Sequence, residues 1–224
     1  ARGREAAFDR KGGMAVSRSA LDAALAGLAV DRGIVFRPGT SAAVAGPAPD
    51  GGWMVRLRDN RGDHEVEATL VAVADGLSGG SLDGLSGFGS RVSKGSWFGV
   101  GGTLTHCKTF PGAIEMNVGS HGYVGLVRMN AGGVNFAAAL DPEWTKLTGG
   151  PAAAVAAIMD EAGAGTLDLA GVTLRGTGLL TRRRARIAAP GLLVIGDAAG
   201  YVEPFTGEGM AWGLVGASAA AEMV

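Results

Sequence analysis

The chain has 224 residues, 47% of them apolar, 18% charged and 6% aromatic, with 20 Lys and Arg against 21 Asp and Glu. Such a composition belongs to a globular protein long enough for a core, and a net charge of -1 supplies no basic footprint for nucleic acid. The 40 glycines and 8 prolines fall short of a low-complexity chain and show no G-X-Y period, so the glycines must serve turns or close backbone approaches.

Cys107 is the single cysteine, which excludes an internal disulfide and points to a reducing compartment, the cytoplasm. No stretch approaches the roughly 18–20 apolar residues of a membrane span; residues 209–221 come nearest and are short and rich in Gly and Ala. The first residues carry charge without a following apolar run, so no secretory signal is expected.

In chain order, Leu21, Leu25 and Leu28 predict an amphipathic helix, with Ser19 and Asp22 as a capping box, Gly33 as its stop and Arg18 just outside its start. Short runs at 34–36, 40–45, 53–58 and 65–74, separated by Pro-Gly, Pro-Asp-Gly-Gly and Asn-Arg-Gly-Asp, predict a β-meander. Trp53, Val55 and Leu57 alternate with Met54, Arg56 and Arg58, as in a half-solvated strand, whereas 70–74 is continuously apolar and predicts a strand buried on both faces. Residues 76–95 read as a long Gly/Ser-rich connection.

Four more runs, at 97–105, 113–118, 123–129 and 134–140, predict a second antiparallel sheet. Pro151 opens a helix ending at Gly163. Strands at 172–175 and 179–187 precede a buried strand at 192–195, a loop and a last helix. The expected class is a mixture of α/β and α+β.

The loop after that strand concentrates the chemistry. Gly196 and Asp197 lie beyond a strand's carboxyl end, where ligands of open α/β sheets bind. A carboxylate there accepts hydrogen bonds only and suits a polyhydroxyl chain such as ribityl. Ala198 keeps the backbone close, Pro204 ends the loop, and Gly207, Glu208 and Gly209 precede a helix start that can receive negative charge. The bland alternative is that Asp197 caps a turn and the glycines end a loop.

Residues 191–216 resemble the Gly-Asp motif of FAD-dependent oxidoreductases of the glutathione-reductase structural class, in the branch of geranylgeranyl reductase-like proteins, flavin-dependent halogenases and aromatic hydroxylases. The resemblance implies FAD as cofactor, ribityl binding by Asp197, and Pro204, Gly207 and Gly209 against the isoalloxazine. The run Val-Ala-Val-Ala-Asp75-Gly76-Leu-Ser78 is similar to the Asp-Gly motif of these proteins, which lies near the FAD pyrophosphate, although Ser81 stands where a basic residue is usual. Arg18 resembles their arginine at the start of the helix before the meander.

By this resemblance residues 1–90 and 189–224 belong to an incomplete Rossmann-like FAD-binding domain with its meander, and 91–188 to a substrate domain with an antiparallel sheet. A G-x-G-x-x-G first turn would precede Arg18 and is absent from residues 1–17, so the expected chain is one shortened at its N-terminus that holds FAD weakly or aggregates alone. The implied activity is that of an FAD-dependent oxidoreductase or monooxygenase on a small or prenylated organic substrate, with NAD(P)H as a candidate electron donor. The Trp-x-Trp-x-Ile-Pro motif of halogenases is absent, and no side chain stands out as acid or base.

Two rivals come from other classes. The sheet at 96–140 could be a noncatalytic binder of an apolar ligand or protein. Residues 76–80 also fit the G-x-S-x-G nucleophile elbow of serine hydrolases around Ser78, but that elbow needs a helix after it and a late histidine. His64, His106 and His121 have no metal-ligand spacing with one another or with Cys107. Arg182, Arg184 and Arg186 share a strand face and read as solvated, with contact to a nucleotide or an acidic substrate as the second reading.

Overall fold

The computed structural model describes residues 5–8, 16–105, 107, 109, 112–129 and 132–223. The elements run α1 (Arg18–Asp31), β1 (Ser41–Pro47), β2 (Trp53–Asp59), β3 (Gly62–Ala68), β4 (Val71–Val73), β5 (Ser90–Val92), β6 (Phe98–Leu104), β7 (Ile114–Gly119), β8 (Gly122–Arg128), β9 (Val134–Leu140), α2 (Pro142–Thr148) and α3 (Pro151–Ala162). They continue with β10 (Arg175–Leu179), β11 (Arg182–Arg184), β12 (Ala188–Ala189), β13 (Leu192–Val194), a 3-10 turn at Gly196–Ala198, β14 (Gly200–Tyr201) and α4 (Gly209–Glu222). The chain divides into two compact units, residues 1–36 with 97–178 and residues 37–96 with 179–224.

In the unit containing 97–178, a five-stranded sheet of order β10-β6-β9-β8-β7 is covered by α3. Helix periodicity places Ala154, Val155, Ile158 and Met159 on one α3 face, where they meet Val124, Leu126, Phe136 and Leu140 of the sheet. Sequence patterning missed α2, despite clear signals. Asp141 caps it by accepting from the amides of Glu143 and Trp144, at 2.9 and 3.1 Å, with Pro142 at the first helical position and Gly149 in the left-handed conformation at its end.

The helix α1 differs from expectation at its start, while Gly33 stops it in the left-handed conformation as expected. Ser17, rather than Ser19, caps it by accepting from the Ala20 amide at 3.1 Å, and Arg18 lies inside the first turn instead of outside. No α1 residue is buried, so the Leu21, Leu25 and Leu28 stripe meets no core. Residues 34–36 form no strand and are exposed.

The other unit holds three small sheets, β1-β2-β3, β14-β11-β5 and β12-β13-β4. The meander follows its alternation: Trp53 and Val55 are buried, while Arg56 and Arg58 reach across to Glu65 and Asp63 on β3 at 3.3 and 2.5 Å. The expected strand at 65–74 is broken in two, because Thr69 and Leu70 leave the antiparallel ladder before β4 joins β13 in parallel. Its second half is not buried on both faces either; Val73 is covered, but Leu70 is 39% exposed and Ala72 is open on the sheet edge.

The connection at 76–95 is more than a linker. Leu82 and Phe88, each 1% exposed, insert beside Val44, Trp53, Val73, Leu192 and Val194 to complete the core of this unit. Phe88 meets Trp53 edge to face at 6.4 Å, and the Trp53 indole N–H donates to the Pro190 carbonyl at 2.9 Å. The expected strand at 172–175 is shifted along the chain to β10, and the one at 179–187 is shortened to β11.

Candidate functional site

Two loops become neighbours because β4 and β13 pair in parallel, with Val71 opposite Leu192 and Val73 opposite Val194. The Ile195 amide donates to the Val73 carbonyl at 2.9 Å, extending the ladder to the strand ends. Asp75 therefore stands two residues past one strand, and Gly196 two residues past its partner, at the same carboxyl edge. That edge is where a parallel sheet offers its binding crevice.

In the first loop, Gly76 takes a left-handed turn at φ 76° and the Asp75 carboxylate accepts from the Ser81 amide at 2.9 Å. A Cβ on Gly79 would collide with the Asp75 carboxyl carbon, so the turn closes tightly around that side chain. The Ser81 carbonyl in turn accepts from the Val44 amide at 2.8 Å, which ties the loop to the meander. A hollow of about 350 Å³ opens here, walled by Val44, Val55, Val71 and Val73 with Asp75 and Ser81 at its polar end.

The second loop forms a 3-10 turn over Gly196–Ala198, closed by the Ala199 amide donating to the Gly196 carbonyl at 3.0 Å. Asp197 is half-buried in it and Ala198 is 4% exposed. Burial, reinforced by the charges of Asp197 and Glu203, pushes the Tyr201 phenol up to about 12. Burial also pushes the Glu203 carboxyl above its ordinary value. The loop thus favours the neutral forms of the two acids that follow Asp197 in sequence.

Pro204 closes a turn to the Gly207 amide at 3.1 Å, after which α4 begins at Gly209. Glu208 is the N-cap residue but provides no side-chain cap, so the first-turn amides of α4 keep their dipole end unmasked by it. Gly207 is explained by its left-handed backbone, φ 70°. Gly209 is different: nothing lies within 4 Å of where its Cβ would be, so the chain's own packing does not demand a glycine there.

Arg18 pairs with Asp22 on its own helix at 3.2 Å. Ser78 lies on a turn followed by further turns, so the helix that a nucleophile elbow requires is not formed. The His64 ring meets the Arg37 guanidinium at 3.4 Å, and His121 stacks on Trp144 at 4.9 Å with Asp141 3.7 Å away. His106 lies outside the described residues. Among the described residues no group of His, Cys, Asp and Glu could hold a metal ion, and no helix is long and apolar enough to cross a membrane.

The arginine run is a correction. Arg182 and Arg184 are half-buried and donate to backbone carbonyls, whereas Arg183 is exposed and Arg186 is exposed as expected, its guanidinium lying 5.7 Å from the Phe88 ring centre. Sequence reasoning missed these contacts because the carbonyls that receive them are mostly remote along the chain. The available signal was the strand period itself, which puts Arg182 and Arg184 on one face.

No protein-family model matches the sequence, and no curated protein matches it either. Solved structures do match in three dimensions. The flavin-dependent halogenase CmlS superposes with a TM-score of 0.73 at 20% identity, over 92% of this chain and 39% of its own. The chain shares its fold with part of that protein. The flavin-dependent brominase Bmp2 gives 0.76 at 13% identity, over 89% of this chain and 53% of its own. OxyS anhydrotetracycline hydroxylase from Streptomyces rimosus gives 0.59 at 19% identity, over 92% and 44%. The chain therefore spans about half or less of the length of these three proteins.

Proposed function

We propose that the chain supplies cofactor loops and the substrate-facing sheet of an FAD-dependent oxidoreductase or monooxygenase that acts on a small or prenylated organic substrate. The observation that carries this reading is the convergence of Asp75-Gly76 and Gly196-Asp197 at the carboxyl edge of one parallel strand pair. The flavoenzyme fold of the matching structures supports it, as does the sequence resemblance to the glutathione-reductase class and its geranylgeranyl reductase-like branch.

The residues present fit FAD. Gly209 has no packing reason to be glycine, which suits backbone approach by a flat ring, and the adjoining helix end offers amides to its electron-rich edge. In this reading Asp197 would accept ribityl hydroxyls, Pro204 and Gly207 would shape the loop beside the ring, and Asp75 with Gly76 would brace the neighbouring turn. Bound flavin would supply hydride transfer or oxygen activation after reduction by NAD(P)H or another donor. The chain's own contribution is to bind, orient and shield.

Purifying the complete gene product and recording its visible spectrum tests this directly. Flavin bands, or their recovery on adding FAD, are the expected result. A colourless protein that gains none would overturn the reading in favour of a noncatalytic binder built on the five-stranded sheet. Reoxidation of the photoreduced protein by prenylated or aromatic substrates, with and without oxygen, then separates reductase from monooxygenase.

A further inference from the structure

The strand β11 runs between the continuations of both candidate loops. Its backbone pairs with β14, which follows the Gly-Asp turn, and with β5, which follows the Asp-Gly loop. Its inward side chains reach back to the loops themselves. Arg184 donates from Nε to the Ala198 carbonyl at 2.8 Å and from Nη1 to the Phe88 carbonyl. Arg182 donates from Nη1 to the Leu77 carbonyl at 3.0 Å and from Nη2 to the Leu179 carbonyl at 2.6 Å.

We propose that Arg182 and Arg184 are positioning residues that clamp the two cofactor loops at a fixed spacing, one guanidinium holding the turn after Asp75-Gly76 and the other the turn after Gly196-Asp197. The assignment of these loops to a flavin rests on the proposed function above; the clamp itself does not. Leu77 and Ala198 lie in turns, where no strand ladder holds their carbonyls, and charge-assisted hydrogen bonds are the strong kind. A guanidinium fork reaches two separate carbonyls at once, which one lysine ammonium on a flexible stem cannot reproduce in the same geometry. Because both arginines project from a single three-residue strand, displacement of one loop is transmitted to the other.

The test uses the complete gene product carrying Arg184→Met, Arg182→Met or Arg184→Lys, read by amide hydrogen exchange without added cofactor and by FAD titration. Arg184→Met is expected to speed exchange at 196–201 by about tenfold or more, the equivalent of one charged hydrogen bond, with a smaller rise at 76–81. Arg182→Met gives the reverse order. Exchange in β2 and β3 of the same unit stays unchanged, which a general loss of that unit's stability would not allow. FAD affinity falls about tenfold in both, and Arg184→Lys recovers the thermal midpoint without recovering the affinity.

Unchanged exchange at 196–201 in Arg184→Met overturns the clamp even if flavin binds normally. Faster exchange in a protein whose wild type takes no FAD supports the clamp and removes the flavin reading instead. If Arg184→Met fails to fold, Arg184→Lys and Arg182→Met carry the same comparison, and exchange raised equally across β2 and β3 in those variants overturns it.

Discussion

The helices α3 and α4 are both rich in small residues and similar in length, yet they occupy opposite packing regimes. Ala154, Val155 and Ile158 of α3 are fully buried, and Met159 is 1% exposed. No residue of α4 is buried, and Trp212, Leu214 and Val215 are 67%, 48% and 59% exposed, although no charge interrupts the helix before Glu222. An apolar sequence therefore guarantees a core only where a facing sheet exists. The two units differ in the same way. One covers α3 with a sheet-and-helix core, while the other holds its loops with backbone ladders and arginines and leaves α4 open; α1, in the first unit, is likewise uncovered, and apolar surface of this kind marks interaction sites.

The sharpest way to break this contrast is truncation on each helix. Ile158→Ala should cost about 2–5 kcal/mol in chemical denaturation, because a buried aliphatic leaves a cavity. Trp212→Ala should stay within about 0.5 kcal/mol, as exposed substitutions do. A large loss at Trp212 would show that α4 is covered in solution.

Glycine replacement gives the next effect. On Gly122 a Cβ would collide with the Ala139 carbonyl oxygen, so Gly122→Ala should destabilise by about 1–3 kcal/mol, as overpacking does. Gly209→Ala meets no atom and should leave stability unchanged or raised by up to about 1 kcal/mol. Its cost should appear in FAD retention alone; equal retention would show that the flavin does not approach there.

Titration distinguishes the regions more gently. Tyr201, raised to about 12 mainly by burial, favours the folded state most fully below the ordinary phenol value of 10, and that contribution is lost as pH rises from there through the raised value. Tyr201→Phe should flatten the alkaline fall in stability. In the other unit the Ser120 hydroxyl and amide hold the Glu161 carboxyl below its ordinary value. Its contribution is complete above the unfolded-state pKa and disappears as pH falls through the lowered one, so Glu161→Gln should flatten the acid limb slightly.

Much of the architecture was legible where one local rule decides the outcome. The Trp53, Val55 and Arg56, Arg58 alternation set the meander's faces, and Pro151 with Gly163 bounded α3. Asp75-Gly76 and Gly196-Asp197 were legible as loops after strands for the same reason. Phe88 and Leu82 were not, because a buried anchor inside a Gly/Ser-rich stretch carries no period. The helix α1 shows the converse: its Leu stripe is regular, but periodicity reports a helix without reporting what covers it.

The sequence by itself determined the strand and helix alternation, the turn chemistry and the two acidic-glycine motifs, since each depends on residues a few positions apart. Tertiary structure alone decided that β4 and β13 pair directly, so that the motifs share one edge, and that Arg182 and Arg184 direct their charge to carbonyls instead of water. Those outcomes depend on groups far apart in the chain. A guanidinium looks the same in sequence whether solvent or a turn receives its hydrogen bonds, and only the folded backbone provides the acceptors that distinguish the two.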